Sequence, residues 1–136
     1  MSDFLFSTRR AVPGALRDHL LRYLASVAAS VEERHGEWGS LAVALAPHDR
    51  AVVAEDDRFV TVLVGDPVVR SAGERPGRVS TGERRSAAHA LLRSGGPVAW
   101  EEHLDGHFAA LAVDRAGGGG RVVTDLFGFV PVFAST

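Results

Sequence analysis

Hydrophobic positions along the chain change their period several times, and each change marks an element. Phe4, Leu5 and Phe6 form a short apolar run ahead of Arg9 and Arg10, predicting a strand that starts almost at the N-terminus and takes its order from pairing in a sheet. Pro13 suits a first helical turn, and Leu16, Leu20, Leu24, Val27 and Val31 then recur at three- and four-residue steps. Arg17, Arg22, Ser26, Ser30 and Glu33 fall elsewhere on that wheel, so the spacing predicts one amphipathic helix of about five turns, ended near Gly36. Segments 40–46, 51–55 and 59–64 are rich in Val, Leu and Ala and are separated by His48-Asp49-Arg50 and Asp56-Asp57-Arg58, which are turn compositions. They predict antiparallel strands in a meander.

Residues 70–85 carry almost no apolar side chain and predict a solvated loop, a place for a binding loop but too near both ends to link two cores. A short helix is expected over 86–92, stopped by Gly95-Gly96-Pro97, and a further helical turn or two over 98–104. Residues 107–114 and 121–125 read as two strands joined by the flexible glycines 117–120, with an extended run over 129–134. The order of strand, helix, three strands, two helices and a terminal hairpin predicts a single α+β layered domain over residues 1–136.

Composition narrows the chemistry. At 136 residues, with 46% hydrophobic and 24% charged positions and a mean hydropathy of +0.04, the chain has the balance of one globular domain. It has no cysteine, which removes disulfides, thiolate metal sites and thiol nucleophiles together. Its fifteen basic residues are all arginine, so lysine Schiff-base chemistry is also excluded. A net charge of −2 without a basic run argues against nucleic acid as the main partner. No apolar run approaches the roughly 20 residues of a membrane span, and Met1-Ser2-Asp3 lacks the positive start of a signal peptide, so a cytoplasmic protein without membrane contact is expected.

The last third carries the most specific pattern. Leu104-Asp105-Gly106-His107-Phe108-Ala109, then Val113-Asp114, then Asp125-Leu126-Phe127-Gly128-Phe129-Val130-Pro131-Val132-Phe133 resembles the L-D-G-x-F-A, x-x-D and R-D-x-x-G-x-x-P-L-Y run of the asparagine synthetase N-terminal domain. That domain is a class II glutamine amidotransferase. The resemblance holds from about residue 86 to 133 and is weak before residue 58. It implies an Ntn-hydrolase-like fold, two packed antiparallel sheets flanked by helices, in which Asp105, Gly106, Asp125, Gly128 and Pro131 shape the scaffold. On physical grounds Asp105-Gly106 reads as a tight turn into a buried strand, with Gly106 supplying positive φ or close backbone approach. Asp125 can accept backbone N–H bonds of the turn that follows it, and Pro131 fixes the re-entry into the last extended run.

The family's catalytic parts are largely replaced. Its nucleophile is a cysteine directly after the initiator methionine, whose own α-amine acts as base; Ser2 stands there, so a hydroxyl nucleophile on a methionine-free chain is the residual catalytic expectation. The oxyanion Asn-Gly-Glu matches Val64-Gly65-Asp66, leaving Gly65 and Asp66 as candidate substrate-binding residues. Loss of the asparagine donor is worth on the order of 3 kcal/mol in a working enzyme. The carboxylate-gripping arginine has no counterpart over 40–43, and the amine anchors fall near Ala87 and at His89. These replacements together predict a non-catalytic structural or docking module for an ATP-dependent amide-forming synthetase or cyclase. The alternative is an N-terminal-nucleophile amide hydrolase using Ser2.

Other signals have plainer readings. His103 and His107 flank Asp105 at a metal-like spacing, but Gly106 breaks a helix there and no metal is expected. The four glycines lack the Lys-Ser/Thr of a phosphate loop, Glu55-Asp56-Asp57 reads as a solvated turn, and Trp38 and Trp100 read as packing aromatics. No cofactor is expected. A strand edge near Thr136 would allow pairing with a second copy as a homodimer.

Overall fold

The computed structural model describes residues 2–24, 30–70, 80–94, 100–117 and 119–125. β3 (Gly39–Leu45) lies at the centre of a three-stranded antiparallel sheet, between β1 (Asp3–Ser7) and β2 (Ser30–Gly36). Its alternation serves both faces of the sheet. Leu41 and Val43 point to the second sheet, whereas Ala42 and Ala44 meet Leu16 and Leu20 of α1 (Ala15–Leu24). The small alanines let the helix approach closely.

The second sheet runs β4 (Val53–Glu55), β5 (Phe59–Val69), β6 (Leu104–Asp114) and β7 (Gly120–Thr124), all antiparallel. Val60, Val62 and Val64 with Ala109, Leu111 and Val113 face the first sheet, where Trp38 stacks on Phe6 at 6.4 Å between ring centroids. The opposite face sets Leu63, Phe108 and Ala110 against Ala88 and Leu92 of α2 (Thr81–Arg93). The described layers are therefore α1, three strands, four strands and α2. A single turn, α3 (Trp100–His103), leads into β6.

Four expectations change. The five-turn helix is two elements: α1 ends at Leu24, and Val31 belongs to β2, which pairs with β3 along seven residues. Over 31–35 a period of two fits as well as a period of 3.6, and the hairpin through Glu37-Trp38 decides for the strand. The three strands do not form a meander either. Residues 46–52 cross from one sheet to the other, with Ala51 at φ 52. The helix expected over 86–92 begins five residues earlier, because Ser80 and Glu83 form a capping box: Ser80 Oγ accepts from Glu83 N–H while the Glu83 carboxylate accepts from Ser80 N–H. Residues 81–85 are thus helix rather than loop. Finally, Asp105-Gly106 is not a turn but part of β6, opposite Val68 and Pro67. Gly106 is nonetheless required: its φ is +94, and a Cβ there would run into the Asp66 carbonyl oxygen.

Candidate functional site

Ser2 lies at the entry to β1, only 2% exposed, where the end of the first sheet meets the crossing segment. Its backbone N–H and its hydroxyl both donate to Asp49 Oδ2, at 2.9 and 2.6 Å, and its Oγ accepts the Ala46 N–H at 3.1 Å. The other carboxylate oxygen of Asp49 faces Arg85 Nη2 at 3.4 Å. Arg85, 4% exposed, donates from Nε and Nη2 to the Gly65 carbonyl at 2.9 and 2.6 Å, and from Nη1 to the Arg50 carbonyl at 2.9 Å. Ser2 and Gly65 are thereby joined through Asp49 and Arg85. Neither of the two connecting residues was singled out by sequence reasoning.

One turn further along α2, His89 grips the same crossing segment. Its Nε2 lies 2.8 Å from the Ala51 carbonyl, which can only accept, so Nε2 carries the proton. Nδ1 then faces the Thr61 hydroxyl as an acceptor at 2.7 Å, and competes for its one hydrogen with the more distant Ala54 carbonyl at 3.2 Å. Burial pushes the His89 pKa down against the raising effect of the Ala51 bond, and the nearby Arg93 and Arg85 charges push it the same way as burial, so the ring is held neutral. For Asp49, burial alone raises the pKa. The Ser2 hydrogen bonds and the Arg85 charge and bond outweigh it and hold the carboxyl below its ordinary range. Arg85 and His89 are spaced i, i+4 on the face that also carries Ala88 and Leu92. That shared face was the available sequence signal.

The candidate binding pair divides. Gly65 has φ +90 and sits so close to the His107 carbonyl that a Cβ would collide with it, while its own carbonyl is taken by Arg85. Asp66 points outward and receives Arg84 through Nη2 at 2.7 and 2.9 Å and through Nε at 3.1 Å. Val64 packs in the core between the sheets, so its side chain is a scaffold element. Asp105 accepts from Arg70 at 2.7 Å and from Gly106 N–H at 2.8 Å, and these contacts hold its carboxyl below the usual range. Asp125 is buried just beyond β7, with its N–H donating to the Phe108 carbonyl at 3.0 Å. Gly128 and Pro131 lie outside the described residues. Ala87 is exposed on α2.

A second polar cluster lies on the α1 side. Ser40 Oγ is 2.7 Å from His35 Nδ1 and accepts the Ala11 N–H, while the Glu33 carboxylate accepts Gly14 and Leu16 N–H groups at 2.6 and 3.3 Å. Ser40 is fully buried and Glu33 is engaged at the start of α1. The cluster therefore fastens the segment between β1 and α1. Among the described residues no group of three or more His, Asp or Glu side chains is placed to hold a metal ion, and no helix is long and apolar enough to cross a membrane. No protein-family model, curated protein or solved structure matches the chain.

Proposed function

We propose that the chain is a non-catalytic relative of the asparagine synthetase N-terminal domain, with an Ntn-hydrolase-like fold, and that it serves as a cytoplasmic structural or docking module for an ATP-dependent amide-forming synthetase. One observation carries the loss of catalysis. The polar groups at Ser2 are bonded to one another: hydroxyl to Asp49, Asp49 to Arg85, Arg85 to the Gly65 carbonyl. A hydroxyl nucleophile needs a neighbour able to take its proton, and a carboxylate held below its ordinary pKa is a weak base. An α-amine at Ser2, beside the same carboxylate, would be favoured in its protonated form and so be a weak base too. The four-layer order and the close approach at Gly106 support the family reading.

The alternative, an amide hydrolase using Ser2, is favoured by one feature: Ser2 stands directly before β1 and is linked to Gly65 through Asp49 and Arg85. Intact mass before and after exposure to a diazoketone analogue of glutamine separates the two. The docking reading expects no adduct and no ammonia release from glutamine, on a methionine-free chain and on Ser2→Ala alike. An adduct that disappears in Ser2→Ala would replace it with the hydrolase.

A further inference from the structure

The outer layer formed by residues 8–24 gathers four arginines in one segment, whereas elsewhere among the described residues Arg50, Arg115 and Arg121 also lack an ion pair but fall one to a segment, and Val68 and Val122 are the other large exposed apolar side chains. All three arginines of α2 are in ion pairs: Arg84 with Asp66, Arg85 with Asp49 and Arg93 with Asp56. Arg34, Arg58 and Arg70 are likewise matched to Glu32 and Glu55, to Asp114 and to Asp105. Arg9, Arg10, Arg17 and Arg22 are exposed and have no acidic partner among the described residues. Within residues 8–24 these four meet one acid, Asp18, whereas the rest of the chain carries eleven arginines against sixteen acids. A positive layer therefore sits on an acidic molecule.

The same layer exposes apolar surface. Val12 is 75% exposed, Tyr23 76% and Leu21 37%, and the Tyr23 ring lies against His19 at 5.1 Å between centroids. Leu16 and Leu20 are turned onto the first sheet, so these three side chains are additional to what the fold uses. Unmatched arginines beside an exposed tyrosine and aliphatics have the composition of an interface centre, where Arg and Tyr are enriched.

Resting on the docking reading above, we propose that the outer side of α1 and the segment leading into it dock on an acidic surface of the partner synthetase, with Leu21 and Tyr23, about 160° apart around the helix, seated at its two flanks. Charge complementarity selects the partner's sign: four cations without an acidic partner among the described residues are best matched by carboxylates, which arginine binds in bidentate geometry. A phosphate backbone would answer the charges but leave Val12 and Leu21 in water, and the net charge of −2 opposes it. A bilayer surface calls for a continuous apolar face, and α1, ten residues long, has spent Leu16 and Leu20 inward.

The test compares the native protein with the triple variant Arg17→Glu, Arg22→Glu, Tyr23→Ser, whose three positions are exposed. The partner is an acyl-adenylate-forming amide synthetase without an amidotransferase domain of its own. The expected result is salt-sensitive binding by the native protein and a loss of at least about tenfold in the variant at unchanged melting temperature. Equal binding by both would overturn the α1 face while leaving the docking reading intact. No binding by the native protein would overturn the docking reading instead. The face is then decided by three direct probes: a Glu- and Leu-rich amphipathic peptide, phosphatidylserine–phosphatidylcholine vesicles and a single-stranded oligonucleotide. Variant-sensitive binding of the peptide above the other two supports an acidic protein surface as the occupant. Preference for vesicles or oligonucleotide, or no binding of the peptide, overturns it.

Discussion

The two outer helices cover their sheets by opposite means. α1 rests on the first sheet through Leu16 and Leu20 against Ala42 and Ala44, and its arginines are left in solvent. α2 also has an apolar strip, Ala88 and Leu92, yet the same side buries Arg85 and His89, which bond to the carbonyls of Gly65, Arg50 and Ala51. The difference follows from what lies beneath. Under α1 is a regular three-stranded ladder whose backbone groups are already paired. Beneath α2 the chain crosses between sheets over residues 46–52, passes through a left-handed Ala51 and leaves carbonyls that only side chains can satisfy. Polar burial on α2 is the consequence of that crossing.

The sharpest way to break this comparison is Arg85→Ala. It strands the Gly65 and Arg50 carbonyls beneath α2 and leaves the Asp49 carboxylate with its Ser2 bonds alone, and we expect a loss of about 3–5 kcal/mol in denaturant unfolding. Arg84→Ala, its sequence neighbour, removes a surface pair with Asp66 and should cost no more than about 1 kcal/mol. Similar losses for the two variants would mean that the polar network under α2 does not hold the crossing. Next in size is Leu20→Ala, which removes the most buried contact of α1 and should cost about 2–4 kcal/mol, with the loss confined to hydrogen exchange of the first sheet.

Acid should act through α2 first. The His89 pKa is lowered in the folded protein, so its neutral form is the one the fold favours. The associated stability is present above the unfolded value of about 6.5 and is lost as pH falls through the lower folded value. Asp49 behaves likewise in a lower window: its stability is present above the unfolded value of about 3.9 and is lost as pH falls through its depressed folded value. Melting curves from pH 7 downward should therefore decline in two stages. His89→Gln should flatten the first, and Asp49→Asn should reduce the second, to which the lowered carboxyls of Asp56, Glu83 and Asp105 also contribute. A single stage unchanged by His89→Gln would refute the assignment of a buried neutral ring.

How much was legible in the sequence follows the same division. β1, the inward pair Leu16 and Leu20, β3, and the β6–β7 hairpin are all signalled by local pattern, since their burial depends on alternation within one segment. The residues of β2 carry a helical expectation because Val31 continues the leucine spacing. Their strand character comes from β3, a partner the periodicity of 16–31 does not contain. Arg85 was hidden more deeply. It sits in a polar run, and its burial is set by acceptors 20, 35 and 36 positions away in sequence, at Gly65, Arg50 and Asp49. The placement of Ser2 against Asp49 spans 47 positions and has no local signature at all.

The smallest expected effect is the one most specific to α1. Arg17→Glu with Arg22→Glu reverses two exposed charges that have no acidic partner among the described residues, so folding stability should change by less than about 0.5 kcal/mol. If the arginines served the fold through the field of the acidic remainder of the chain, the reversal would instead lower the melting temperature, and the loss would shrink as salt is added. A salt-independent, unchanged melting curve leaves those charges without a role inside the molecule. Under the docking proposal these arginines act on a partner instead, and the same double reversal should weaken salt-sensitive binding while leaving the melting curve in place; a binding curve as unmoved as the melting curve would remove the contrast between an α2 that closes the domain inward and an α1 that presents it outward.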